Sequence, residues 1–259
     1  MNYKSGFTLA GVTEPPHNIR HWSKGFTLAE VLITLGIIGV VAALTIPTLI
    51  NNYQKKVTLT RLKQSYSILQ NAILSSQVEN GDPQTWGLKS YNKDYDEDNL
   101  EALTKDTVTE VCEKFIIPYL KTSGKPGYKN LKDEGWTDYY LLSGKISTIP
   151  NAGKSYYIIP LINGSTIMAA VNGSATKLHS IIFYIDINGS QKPNIMGKDC
   201  FAIELAFTNG VLGFFAVPSG KDYVASICTD KSNAADSSMG CGGWIFLNGW
   251  EFPKDYPWK

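Results

Sequence analysis

The longest apolar segment of the chain runs from Val31 to Ile50, and none of its 20 residues is charged. As an α-helix, 20 residues span about 30 Å, the thickness of a bilayer's hydrocarbon core. Beyond this segment, apolar residues recur among polar ones at the spacing of an amphipathic helix: Leu62, Tyr66, Leu69 and Ile73. The pattern predicts one helix that is membrane-spanning over 26–50 and amphipathic over 51–80.

Glycine and proline residues are expected to end this predicted helix and to kink it. Gly81-Asp82-Pro83 follows the amphipathic stretch and should end it. Pro47 lies inside the apolar segment, lacks a backbone donor and should kink the helix there. Everything after residue 80 is long enough to form one soluble domain with its own core, so we expect a globular unit over 81–259.

Within 81–259 the pattern indicates a polar loop over 84–99, a second helix and then β-strands. The second helix carries apolar residues at Leu100, Leu103, Val111, Phe115 and Tyr119, with an interruption expected around 107–109. Asn163-Gly164 and Asn209-Gly210 are favoured two-residue hairpin turns between strand-like runs. With Ile181–Ile187 between these hairpins, the simplest assembly is an antiparallel sheet of four or five strands packed on the long helix.

One carboxylate, Glu30, lies directly before the uncharged run, in the sequence Gly25-Phe26-Thr27-Leu28-Ala29-Glu30. This sequence resembles the processing and methylation motif of type IV prepilins and type II secretion pseudopilins, over roughly residues 24–53. The resemblance implies that a prepilin peptidase cuts between Gly25 and Phe26, releases a cytoplasmic leader of residues 1–25 and N-methylates Phe26. It also implies an α+β, pilin-like fold, in which a long N-terminal helix packs on an antiparallel sheet with a disulfide-bounded C-terminal loop.

The chemistry of the motif agrees with that role. Cleavage would create an α-amino group on Phe26, which is mostly cationic at neutral pH. A lone carboxylate in lipid is costly and needs a partner, and in the family the Glu of one subunit is proposed to neutralise the Phe amine of its neighbour. By this resemblance Glu30 sets the register of assembly. The alternative interpretation is an ordinary signal anchor that happens to contain Glu30.

Composition excludes several functions. The formal net charge is +1, and removal of residues 1–25 would leave −1, so we expect no nucleic-acid partner. Outside the leader His179 is the sole histidine, and no nucleophile elbow, phosphate loop or histidine-based triad is present. We therefore expect a structural protein rather than an enzyme.

The four cysteines, Cys112, Cys200, Cys228 and Cys241, all follow the apolar segment, and none forms a CxxC pair. Outside the cytoplasm an even number suggests disulfides, and sequence alone allows three connectivities. The resemblance favours Cys228–Cys241, which would bound a variable loop over 229–240 and leave Cys112–Cys200 as the second pair. Four reduced thiols are the alternative.

Asp186, Asn188 and Asp199 surround a glycine-containing loop and are candidate calcium ligands, because some secretion pseudopilins bind calcium after the sheet. The full calcium-loop pattern fails, since no carboxylate stands at the bidentate position. We favour an Asx-type turn, with Asp199 hydrogen-bonded to backbone amides, and expect no cofactor.

The end of the chain is aromatic, with rings at Trp244, Phe246, Trp250, Phe252, Tyr256 and Trp258. Such a cluster could form an exposed adhesive patch, but packing over the sheet is the favoured interpretation.

These features predict a pilin or pseudopilin of a type IV pilus or type II secretion filament. Its expected partners are the prepilin peptidase, copies of itself or other pilins, and the inner-membrane assembly machinery. Basic residues flank the apolar run on both sides and do not decide its orientation. The resemblance places the N-terminus in the cytoplasm and the C-terminal domain in the periplasm or outside the cell. The alternative function is a solitary membrane-anchored binding domain that uses the same signal without polymerising.

Overall fold

The structure is a computed structural model that describes residues 25–86, 100–174, 177–229 and 238–258. Residues 1–24 of the predicted leader, most of the polar loop over 84–99 and most of the predicted variable loop over 229–240 lie outside these residues. The chain divides into two compact units, residues 1–50 and 51–259. Helix α1, Leu28–Asn80, contains the apolar segment and its amphipathic continuation, which confirms the predicted long helix. Its helical assignment is unbroken at Pro47, and the kink there stays a prediction.

The part of α1 beyond residue 50 buries the predicted apolar stripe. Leu62 and Leu69 are fully buried, and the Tyr66 ring stacks on the Phe214 ring with centroids 5.0 Å apart. A polar contact adds to this packing, because the Ser65 hydroxyl donates to the Ser165 hydroxyl over 2.9 Å in a buried position. The helix ends where Gly81 adopts a φ of +76°, a conformation that favours glycine.

Six antiparallel strands form a single sheet whose spatial order follows the chain order. Both predicted hairpins are present, but their connections are longer than the predicted two-residue turns: residues 161–165 join β2 to β3 and residues 207–210 join β5 to β6. The strands are β1 Gly127–Asn130, β2 Ser155–Pro160, β3 Thr166–Ser174, β4 Lys177–Asp186, β5 Cys200–Ala206 and β6 Val211–Phe214. The expectation of four or five strands was too low because β1 is only four half-buried residues with no apolar alternation.

Side chains on the two faces of the sheet enter two separate cores. Ile181, Phe183 and Ile185 of β4 face the core that contains the buried residues of α1. Their neighbours Ile182 and Tyr184 face a second core. That second core is covered by residues from the long connection between β1 and β2 and by one methionine near the C-terminus: Leu131, Trp136, Tyr139, Leu141 and Met239. Both faces of the sheet are therefore buried.

The second helix, α2 Leu100–Glu110, runs through the predicted interruption at 107–109 without a break. The irregularity comes later, as a π-helical turn over Val111–Ile116 and a 3₁₀ turn over Ile117–Tyr119. Pro118 lies within that last turn, where its missing N–H and fixed φ are tolerated. Phe115 in the π-turn stacks on Trp86 at 4.2 Å, so the distortion places a ring in the core.

Two short helices that the sequence pattern did not predict complete the fold, α3 Lys221–Thr229 and α4 Cys241–Leu247. The predicted packing of the aromatic tail is confirmed. Trp244 and Tyr256 are buried in the core beneath α1, and Phe246, Trp250, Phe252 and Trp258 pack against it. The Tyr256 hydroxyl donates to the carbonyl oxygen of Gly197, which fixes the tail to the loop after β4.

Gly242 allows α4 to approach the core closely. A Cβ at this position would lie 2.6 Å from Cδ1 of Phe214, whose ring is held between Tyr66, Phe246 and Trp250. We predict that Gly242→Ala lowers the free energy of unfolding by about 1–3 kcal/mol through overpacking, although alanine is the better helix former. The matched control is Gly213→Ala, where a Cβ meets nothing within 4 Å. Urea unfolding followed by tryptophan fluorescence would measure both, and equal stability of the two variants would contradict the packing argument.

Candidate functional site

The predicted processing junction lies at the start of the described chain. Gly25 and Phe26 precede the first residue of α1, and the Phe26 side chain is 87% exposed. A Cβ placed on Gly25 would meet no atom of the described residues within 4 Å. Residues 25–27 are non-helical, and a protease can bind backbone of this kind in an extended form.

Glu30 caps its own helix in this structure. The backbone N–H and the hydroxyl of Thr27 both donate to Glu30 Oε2, over 2.8 and 2.7 Å. In return the Glu30 N–H donates to the Thr27 hydroxyl over 3.2 Å. This reciprocal arrangement is a capping box, which satisfies donors that the first turn of a helix leaves without partners. This role of Thr27 was not predicted, although the Thr-x-x-Glu spacing is the sequence signal for it.

The part of α1 that follows the cap is long and apolar enough to cross a membrane. Its large side chains are exposed, including Leu32, Ile38 and Leu44. Two of its three threonines donate their hydroxyls to carbonyl oxygens of the same helix, Thr34 to Val31 and Thr45 to Val41, each over 2.9 Å. These two hydroxyls therefore do not require water, which suits a helix surrounded by lipid.

One of the two predicted disulfides is present and the other is not. Cys228 and Cys241 form a disulfide that joins α3 to α4, as the resemblance implied. Cys112 and Cys200 are separate buried thiols, so the predicted second disulfide is absent. The reason is topological: Cys112 lies in the core beneath α1, whereas Cys200 faces the core on the opposite side of the sheet.

Asp186 and Asp199, two of the calcium candidates, are buried and held by protein donors. Asp186 accepts from the Tyr139 hydroxyl over 2.7 Å and from the Asn188 N–H over 3.1 Å. Asp199 Oδ1 accepts from the Ile195 N–H over 2.6 Å. This is the favoured Asx-type arrangement, and the described residues contain no cluster of three or more His, Cys, Asp or Glu side chains suited to a metal ion.

Burial raises the pKa of both carboxyls. The pKa of Asp199 rises from 3.8 to about 7, and that of Asp186 rises well above its usual range because Asp199 lies near it as well. Two buried carboxylates cannot both be charged without cost, so the pair retains a proton at neutral pH. These residues are thus a source of pH-dependent stability.

Comparison with known proteins agrees with the N-terminal geometry. The prokaryotic N-terminal methylation motif matches residues 23–46. This match covers the junction, the cap and most of the apolar segment, so the chain carries the type IV prepilin or pseudopilin signal. It is thereby a pilin-like or pseudopilin-like substrate.

A second match defines the family. Residues 48–210 match a family of unknown function (DUF6613), and because this is more than half of the chain, the protein belongs to that family. A search of curated proteins and a search of solved structures each gave no significant match.

The raised pKa of Asp199 predicts an unusual pH dependence of stability. A carboxyl whose pKa is higher in the folded than in the unfolded chain binds its proton more tightly when folded, which stabilises the fold at low pH. This stabilisation is complete below about pH 4 and is lost as the pH rises through about 7. We therefore expect the thermal unfolding midpoint to rise as the pH falls from about 8 to about 5.5.

The variant Asp199→Asn tests this prediction, because its amide keeps an oxygen for the Ile195 N–H and cannot ionise. Its midpoint should vary less with pH than that of the wild type in thermal melts of the full chain in detergent. A wild-type midpoint that falls over this range in parallel with the variant would contradict the assignment.

Proposed function

We propose that this protein is a structural subunit of a type IV pilus or type II secretion filament. In this proposal the prepilin peptidase cuts between Gly25 and Phe26 and Phe26 is N-methylated. Before assembly the chain resides in the inner membrane, with its C-terminal domain outside the cytoplasm. The observation that carries the proposal is the coincidence of the methylation motif with a capped Glu30 and a membrane-length helix.

Assembly would proceed through the apolar helix. Within a bundle of such helices, the Glu30 carboxylate would pair with the α-amino group of a neighbouring copy's Phe26. A buried ion pair contributes little net stability, but removal of one partner leaves an uncompensated charge in a medium of low dielectric constant. The pair would therefore select one axial register between copies. A structural role of this kind, which the sequence predicts, requires no catalytic site.

The capping box lets the two roles of Glu30 be separated experimentally. Glu30→Gln keeps a side-chain oxygen that can accept from Thr27 but removes the charge. Thr27→Val removes the hydroxyl that donates to and accepts from Glu30 but leaves the charge. If the Glu30 charge is required for assembly, Glu30→Gln should not assemble. Thr27→Val should still assemble and should lose only the stability that the cap contributes, about 1 kcal/mol.

Assembly can be measured in the native host by placing a photo-crosslinking amino acid at the exposed position Leu35. We predict that Glu30→Gln reduces crosslinked multimers by about tenfold or more, while Thr27→Val keeps most of them. The N-terminal peptide of each variant, read by mass spectrometry, controls for processing. Wild-type levels of multimers in Glu30→Gln would contradict the proposed role of the Glu30 charge, whereas the absence of multimers in the wild type would contradict the filament proposal and favour a solitary anchored domain.

A further inference from the structure

The part of α1 that follows the apolar run carries positive charge only. Between residues 51 and 78 it has no acidic residue, and its basic residues all lie near its start: Lys55, Lys56, Arg61 and Lys63. Lys56 and Arg61 are exposed, and neither forms an ion pair with a described residue. Their charges are therefore available to a partner of opposite charge.

The aromatic tail lies against this basic stretch. The Lys63 ammonium is 5.5 Å from the centre of the Trp250 ring. The Lys55 ammonium is 5.9 Å from the centres of both the Phe252 and Trp258 rings. As the tail proceeds from residue 250 to 258, its contacts on α1 thus move back toward the apolar run. Cation–π contacts of this kind orient the ammonium groups and the rings together.

A lysine from another element joins them, because the Lys198 ammonium lies 5.1 Å from the centre of the Trp258 ring. We call α1 over 51–63, Lys198 and the tail over 250–258 the basic-aromatic surface. It contains six basic side chains and two exposed carboxylates, Glu251 and Asp255. Asp199, which follows Lys198, is only 5% exposed. The surface is therefore positive, although residues 26–259 as a whole carry a net charge of −1.

The connectivity of the chain brings one end of this surface close to any bilayer that contains the apolar run. Lys55 and Lys56 follow Ile50 by five and six residues, which is about 8–9 Å along a helix. The headgroup layer outside the hydrocarbon core is itself about 5–8 Å thick. Tyr53, which precedes both lysines, is 67% exposed. Aromatic rings beside lysine and arginine side chains are typical of protein surfaces at this depth.

The sign of the charge selects the kind of lipid. Each lysine or arginine near an anionic bilayer surface strengthens the attraction to it by about fivefold, whereas a zwitterionic headgroup has no net charge to offer. The attraction falls off within a Debye length of about 8 Å at physiological salt. Lys63 lies seven residues beyond Lys56, about 10 Å farther along α1, so it should contribute less.

We propose that the basic-aromatic surface binds anionic phospholipids and lies on the bilayer at its Lys55–Lys56 end. The Lys56 ammonium would contact headgroup phosphates, and Lys55 and Lys198 would keep the Trp258 ring at the level of the headgroups. Membrane residence of the chain comes from the proposed function, on which this inference therefore rests, but neither cleavage nor assembly enters it. A subunit that joins a filament would have to give up this attachment to the bilayer.

The first test measures which lipids the full-length protein retains. The protein is released from nanodiscs of equal parts phosphatidylcholine and phosphatidylglycerol and weighed with its bound lipids by native mass spectrometry. We expect the wild type to retain phosphatidylglycerol over phosphatidylcholine by about fivefold or more. Lys56→Gln should lower this ratio by about threefold or more. Lys56→Arg keeps the charge and should leave the ratio within about twofold of wild type.

Lys63→Gln is the matched control. It removes the same charge from the same face of α1, two turns farther from the apolar run, where the attraction is screened. The ratio in this variant should stay within about twofold of wild type. Equal retention of both lipids by the wild type, an unchanged ratio in Lys56→Gln, or equal losses in Lys56→Gln and Lys63→Gln would each overturn the proposal.

A second measurement tests the contact of the tail with lipid. Tryptophan fluorescence of the full-length protein is recorded in vesicles of the same two lipids, with the acyl chains of one lipid at a time brominated near the headgroup. We expect brominated phosphatidylglycerol to quench more than brominated phosphatidylcholine. Trp258→Phe should remove most of this difference, because the indole beside Lys55 is lost.

Equal quenching by the two lipids, or a difference that Trp258→Phe leaves unchanged, would contradict the position of this surface on the bilayer. Both measurements use the unassembled protein with residues 1–25 still attached. Their failure would therefore leave the filament proposal standing, and a failure of cleavage or assembly would leave their outcome unchanged.

Discussion

A single carboxylate stands at the entrance of a helix that carries no other charge for 20 residues, and its charge must be compensated wherever that helix lies in lipid. In the isolated chain Thr27 supplies part of this compensation, because its N–H and hydroxyl both donate to Glu30. The positive end of the helix dipole also lies at this turn. Neutral donors compensate the charge of a carboxylate only partly. A cation from another copy would compensate it more fully, and in the proposed filament the Phe26 amine of a neighbouring copy is that cation.

The unit formed by residues 51–259 is stabilised in a different way, by the burial of apolar side chains. Its sheet is buried on both faces, against α1 and α2 on one side and against the long β1–β2 connection on the other. The disulfide joins α3 and α4, and Gly242 lets α4 approach the Phe214 ring. The tail then covers α1 with aromatic rings.

Sequence pattern was sufficient wherever one local rule dominated. Helical spacing identified the buried stripe of α1, and the two Asn-Gly turns identified both hairpins. It failed where the outcome depended on distant contacts. Strand β1 has no alternation of its own and forms because β2 offers it an edge. The Cys112–Cys200 pairing was wrong because sequence does not reveal which face of a sheet a cysteine occupies. The core brings together α1, the loop after β4 and the aromatic tail, three segments that no spacing rule relates.

The central claim is that this chain is processed as a pilin before it functions. The most direct measurement is the mass of the N-terminal peptide of the protein, taken from native membranes and from sheared surface material. The account predicts a chain that begins with N-methylated Phe26, in membranes before assembly and in any filament that the cell exports. A chain that still carries residues before Phe26 in both fractions would contradict it, and would leave Glu30 as the cap of an ordinary membrane anchor.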